Sequence, residues 1–257
     1  QRAQATDRDW LEICVTETTL AVIVAHGSPS DPDPLDRELK ELAERVGDLA
    51  PGLRVVGATL AKPGSLEAAL EDSEAASATL VYPFFMSKGW FVSKELRRRV
   101  SAATKAEVHY LEPFGLDDEV TSLCIQRVSQ AAAQLGQTLR TTVLVLAAHG
   151  SQRGPASANA ARAIKDRIAA AAEFQDMRLG FVEEEPTITE AATDLNAATA
   201  VCLPLFATSA GHVLEDIPEQ LAQAGFKGRL MAPIGEDEQV PRIIANALRE
   251  SHPFSVS

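Results

Sequence analysis

The chain has 257 residues and a formal net charge of -12, from 24 Lys+Arg against 36 Asp+Glu, with 46% apolar residues. That balance belongs to a globular protein; it excludes low-complexity disorder and a collagen-like repeat, and the acidity argues against a nucleic-acid partner. No apolar run reaches the ~20 residues that cross a bilayer, so no membrane partner is expected.

Residues 1–18 read as an N-terminal extension without the long apolar stretch of a secretory signal. There is no initiator Met, and the numbering is expected to begin inside a longer chain. The cysteines are Cys14, Cys124 and Cys202. None stands in a C-x-x-C pair, so neither a zinc ribbon nor a disulfide framework is signalled. They read as idle or buried thiols in a reducing cytosol.

An internal repeat organises the rest. TLAVIVAHGS ends at Ser28 and TTVLVLAAHGS at Ser151. Gly57 with Gly180 and Pro63 with Pro186 keep the spacing of His26 and His149; YPFF then matches LPLF, and EPFGLDDEV matches APIGEDEQV. So long a period is no solenoid unit; it marks a duplicated domain.

Each copy predicts the same elements in the same order. The β-branched runs Leu20 to Val24 and Val143 to Leu146 fit parallel strands buried on both faces. Leu35, Leu39, Leu42, Val46 and Leu49 recur at helical spacing, and Ala158 to Ala172 takes that place in the second copy. Second strands (Leu53 to Leu60, Met177 to Val182) precede second helices (Ser65 to Ala75, Thr187 to Leu195). Third strands (Thr79 to Phe85, Thr199 to Phe206) lead into third helices. A short fourth strand and a closing helix complete each copy, with the linker near Gly136 to Thr142. Strand-helix alternation with such crossovers requires parallel pairing and an α/β fold.

Sites on such sheets form at the carboxyl ends of the strands. Here His26-Gly27-Ser28 and His149-Gly150-Ser151 occupy that place. Glycine permits the close turn, and serine can cap the following helix. A lone histidine there also serves as a backbone hydrogen-bonding residue. The second copy adds His212 beyond its third strand, where the first has Trp90 at the matching place. Two imidazoles from neighbouring strand ends can converge on one atom. They suit a divalent borderline metal such as cobalt, iron or nickel, and proton removal near neutral pH.

Glu215 and Asp216 follow His212 at helical spacing; each is placed to orient its ring, or simply to favour a helix start. Glu183-Glu184-Glu185 follows the second strand of the same copy, as a site or as a solvated loop. The matching first-copy residues read as Leu60, Ala61 and Lys62. The first copy instead carries Lys88, Trp90, Lys94 and Arg97-Arg98-Arg99, suited to hold carboxylates beside a flat ring or to form a basic outer helix face. His109 and His252 fit no constellation.

The doubled AHGS strand ends, the EEEP segment and GHVLEDIP resemble the sirohydrochlorin chelatases of the CbiX/SirB type, across nearly all of residues 19–250. The resemblance implies a chelatase-like α/β fold: two tandem similar domains, each with a parallel sheet flanked by helices, and a cleft between them. The expected boundaries are 19–138 and 139–257, the second carrying the site. The implied activity is ATP-independent insertion of Co2+ or Fe2+ into sirohydrochlorin, for cobalamin or sirohaem biosynthesis. It implies no cofactor beyond the substrate metal, and a cytoplasmic location.

Carried over by position, the family's active histidines fall on His149 and His212. Its glutamate falls on Glu183, with Glu185 as the second match. Several long members hold the complete site in the first copy. Here that copy pairs His26 with Trp90, so the site is placed in the second, with Trp90, Lys88, Lys94 and Ser151 facing the macrocycle. Both histidines must be neutral to act, so activity is expected to fall in acid. A non-catalytic metal or tetrapyrrole carrier is the alternative reading. A histidine phosphatase is disfavoured because Ala25 and Ala148 stand where phosphate chemistry wants arginine. The choice among metals, the oligomeric state, the role of His26 and the orientation of Glu183 to Glu185 stay open at this level.

Overall fold

A computed structural model describes residues 18–151, 154–209 and 211–251. Cys14, His252 and residues 1–17 of the expected extension lie outside the described residues.

The first half runs β1 (Thr19–Ala25), α1 (Pro32–Leu49), β2 (Leu53–Thr59), α2 (Ser65–Ala69), β3 (Thr79–Pro83), α3 (Arg97–Ala103), β4 (Val108–Tyr110) and α4 (Asp118–Gln134). The second repeats it: β5 (Val143–Ala148), α5 (Ala156–Ala171), β6 (Asp176–Phe181), α6 (Ile188–Ala192), β7 (Ala200–Pro204), α7 (Ile217–Gln223), β8 (Arg229–Leu230) and α8 (Val240–Glu250). Two four-stranded sheets result, ordered β2-β1-β3-β4 and β6-β5-β7-β8, and every recorded pairing is parallel. The short, partly exposed strands β4 and β8 form one edge of each sheet, which limits edge-to-edge pairing.

The central strands are apolar throughout because both faces are covered. Ala21, Ile23 and Ala25 of β1 enter a core that runs through both halves, as do Leu144, Leu146 and Ala148 of β5. Their alternate neighbours Leu20, Val22 and Val24, and Val145 and Ala147, pack under local helices in two separate clusters. The strand period of two thus divides each strand between a shared and a private core.

The closing helices cross over. Helix α4 lies against α5 and β7 of the second half, and α8 lies against α1 and β3 of the first. Polar contacts follow the exchange. Arg127 of α4 donates to Asp237 at 2.9 Å, just before α8. Asn246 donates to Glu119 at 2.9 Å, and Gln239 to Gln126 at 3.1 Å. The last two are one contact made twice, because Glu119 and Gln126 are the repeat equivalents of Gln239 and Asn246. Each closing helix thus packs against the sheet of the other copy.

Two local expectations change. The second helices are single turns, Ser65–Ala69 and Ile188–Ala192, shorter than their sequence patterns suggest. Gly57 and Gly180 are also not equivalent. Ala25 pairs with Thr59, whereas Ala148 pairs with Phe181, so the second copy has lost one residue between these strands. A Cβ on Gly57 would meet the Leu39 carbonyl oxygen of α1 at 2.4 Å, and one on Gly180 would meet Ile188 Cα of α6 at 2.6 Å. Each glycine admits a different helix, on opposite faces of its sheet.

Candidate metal centre

The carboxyl end of the second sheet brings His149, Glu183 and His212 together. One potential ligand atom from each lies within 4.8 Å of the other two; this is the cluster of three His, Cys, Asp or Glu side chains found among the described residues. Each comes from a different crossover. His149 follows β5 directly, and the Glu183 N–H donates to the His149 carbonyl at 3.0 Å, which joins the two loops. His212 opens a π-helical turn, His212–Asp216, ahead of α7. It lies several residues past the end of β7 rather than at the strand end itself.

The two imidazoles meet edge to face, with centroids 4.5 Å apart and planes at 76°. His149 Nδ1 lies 2.9 Å from the Gly150 carbonyl oxygen and 3.7 Å from Glu183 Oε2. His212 Nδ1 lies 2.5 Å from Asp216 Oδ2. The side chains of all three are about 40% exposed: 42% for His149, 40% for Glu183 and 38% for His212. Among the described residues they form a partly exposed ledge that solvent reaches. Two imidazoles and one carboxylate suit a borderline divalent cation.

The neighbouring acids divide. Glu184 turns inward: it accepts the Ser151 N–H at 3.0 Å and pairs with Arg162 of α5 at 3.6 Å. It therefore holds the His-Gly-Ser loop. Gly150 has φ +71°, and a Cβ there would meet Glu184 Cγ at 2.7 Å, so glycine is needed for both conformation and contact. Glu185 and Glu215 are exposed. Ser151 is thus tied to the loop's own support through its backbone.

The first half keeps the frame without the His-Glu-His set. His26 Nδ1 lies 2.9 Å from the Gly27 carbonyl oxygen, as in the second half. The Ala61 N–H donates to the His26 carbonyl at 2.8 Å, so Ala61 is the equivalent of Glu183. The residues opposite Glu183-Glu184-Glu185 are therefore Ala61, Lys62 and Pro63, not Leu60, Ala61 and Lys62. Phe91 meets His26 edge to face at 4.3 Å and 84°, which makes Phe91, not Trp90, the equivalent of His212. The sequence comparison missed this by one residue; the signal was the shared pattern of Phe91-Val92 and His212-Val213, with both valines buried.

Trp90 is 62% exposed and packs edge-on against Phe91 at 5.1 Å. Much of the expected basic cluster is committed elsewhere. Lys88 pairs with Glu112, Arg98 with Glu95, and Arg99 with the Leu60 carbonyl and Glu67. Arg97 stacks 4.1 Å over the Tyr110 ring. Lys94 is exposed. His109 lines a cavity of about 460 Å³ at the amino ends of β3 and β4, remote in the fold from the strand ends that carry the histidines. Cys124 and Cys202 are buried, and burial pushes each thiol up to about 12, so neither is a thiolate ligand at neutral pH.

Comparison with known proteins addresses the family and the fold. The family profile described as CbiX matches residues 20–131 and 143–251. The solved structure described as CbiX, the terminal enzyme for biosynthesis of siroheme in denitrifying bacteria, is 44% identical, with a TM-score of 0.82, covering 90% of this chain and 99% of that one. SirB from Bacillus subtilis with Fe3+ shares the fold at a TM-score of 0.71 and 16% identity, over 91% of this chain and 95% of that one. A curated protein of Halobacterium salinarum, a probable sirohydrochlorin cobaltochelatase, is 26% identical over 164 residues. That match takes in 54% of this chain and spans 55%, about half, of the relative's length. Because the profile covers both halves and the solved relative is similar along almost all of its chain, the protein belongs to the CbiX family.

Proposed function

We propose that this protein inserts divalent cobalt or iron into sirohydrochlorin without ATP, for sirohaem or cobalamin biosynthesis. The observation that carries the proposal is the convergence of His149, Glu183 and His212, found among the described residues in the second half alone. Family membership and its relatives, one a CbiX of siroheme biosynthesis and one a probable sirohydrochlorin cobaltochelatase, support sirohydrochlorin as the substrate.

Metallation exchanges two pyrrole N–H protons for one M2+, so charge balances when two protons leave. The cation must shed water before the ring nitrogens take it. In this reading His149, His212 and Glu183 replace part of that water shell, and the exposed ledge leaves one side open to the macrocycle. Once the metal passes to the ring, the freed lone pairs accept the departing protons. Trp90 offers an apolar face and Lys94 a cation for peripheral carboxylates, with Lys88 available on release from Glu112. The site belongs to residues 139–257, although the exchanged helix α4 helps to support that half.

A cytoplasmic location belongs to the same reading. Among the described residues no helix is long and apolar enough to cross a membrane. Anaerobic incubation with sirohydrochlorin and Co2+ or Fe2+, followed by absorption, tests the activity. Repeated turnovers per protein support it. A single stoichiometric change would indicate a carrier and overturn it.

A further inference from the structure

The two site histidines are held differently. His149 Nδ1 faces a neutral carbonyl, that of Gly150 at 2.9 Å. His212 Nδ1 faces a carboxylate, Asp216 Oδ2 at 2.5 Å. An ionised carboxylate only accepts, so this pairing suits a neutral ring with its proton on Nδ1 and its lone pair on Nε2. The short π-helical turn places the two side chains together, four residues apart.

The first half supplies an internal control. Its equivalent of His212 is Phe91, which has no N–H to offer, and its equivalent of Asp216 is Glu95. That carboxylate is taken by Arg98 in a forked pair, Nε at 2.9 Å and Nη2 at 2.8 Å. The position of Arg98 is held in the second half by Glu219, which accepts from Gln223 at 3.2 Å. So the acid turns to the ring only where the ring is a histidine, and the arginine that would compete is replaced by an acid.

We propose that Asp216 is a positioning residue for His212: it fixes the Nδ1–H tautomer, directs Nε2 to the cation, and strengthens that nitrogen as a donor. The proposal rests on the metal site of the preceding section but not on turnover. Partners of metal-bound histidines of this kind carry ~10–100-fold in affinity.

The test titrates the full chain with Co2+ alone, comparing wild type with Asp216→Asn and Asp216→Ala, and reads the His212 tautomer by 15N NMR. Asp216→Asn retains an oxygen able to accept the Nδ1–H but loses the charge. It should weaken Co2+ binding by about tenfold with the Nδ1–H tautomer kept. Asp216→Ala should weaken binding further and release the ring to the Nε2–H form. Glu95→Ala should leave Co2+ binding unchanged. Should Asp216→Ala misfold, the isosteric Asn variant still decides. Affinities for both variants within twofold of wild type, with the tautomer unmoved, would overturn the proposal. Weakened Co2+ binding together with a wild type that never metallates sirohydrochlorin would uphold the role of Asp216 and overturn the chelatase reading.

Discussion

Phe91 stands against His26 as His212 stands against His149. Both ring pairs are edge to face, at 4.3 Å and 84° in the first half and 4.5 Å and 76° in the second. The backbone frame of the second cluster therefore exists twice, while its His-Glu-His set is found once among the described residues. Ala61→Glu with Phe91→His restores the missing donors on an existing frame. We expect the double variant to bind a second equivalent of Co2+ by calorimetry, more weakly than the native site, because Glu95 stays engaged with Arg98. An unchanged stoichiometry would show that the two frames differ where the rings do not reveal it.

The proposed ligands predict sharp functional losses with little structural consequence. His149→Ala and His212→Ala each remove a metal donor and a proton acceptor, and should lower metallation by ~10²-fold or more. Their side chains are about 40% exposed, so no core cavity forms and the melting temperature should hold. His26→Ala, in the half with one histidine at its strand ends, should cost far less. A larger loss from His26→Ala would move the site to the first half.

Much of this was legible in the chain. Strands β1 and β5 announce themselves because two-sided burial demands unbroken apolar runs, and both His-Gly-Ser turns follow them. Asp216 is visible four residues after His212, though Glu215 is as near in sequence and faces solvent. The one-residue loss between β5 and β6 was hidden, because Gly57 and Gly180 match in sequence while serving opposite faces. The exchange of α4 and α8 was hidden too. Amphipathic spacing tells a helix to bury one face without saying against which sheet.

That exchange makes a prediction about folding. Residues 18–138 alone would carry α4 without α5 and β7, exposing Val120, Leu123, Cys124 and Val128, which are buried in the shared core. Residues 139–257 alone would leave α8 without α1 and β3. Each fragment should lack a cooperative thermal transition, and mixing the two should restore one by circular dichroism. An independently folded fragment would show that the exchanged contacts are dispensable. At single positions, Val128→Ala and Ile244→Ala should each destabilise the intact chain, by ~1–3 kcal/mol and ~2–5 kcal/mol, measured in urea.

A second stability prediction concerns Asp36, a fully buried carboxylate that accepts from the Thr59 hydroxyl, next to Gly27 of the first His-Gly-Ser loop. Burial alone would raise its pKa. The hydrogen bonds from Lys40, Ser65, Lys62 and the Thr59 backbone outweigh that and hold it well below the usual carboxylate range. A carboxyl whose pKa is depressed by folding stabilises the native state above its unfolded value, ~3.9, and that contribution fades as pH falls further, toward the folded value. Asp36→Ala leaves the Thr59 N–H and the Ser65 hydroxyl without this acceptor, at ~1–3 kcal/mol. The variant should melt lower than wild type at neutral pH. Their melting temperatures should converge as the pH is taken from about 4 downward. A gap that stays constant across that range would mean that lost packing, rather than the charge on Asp36, accounts for the difference.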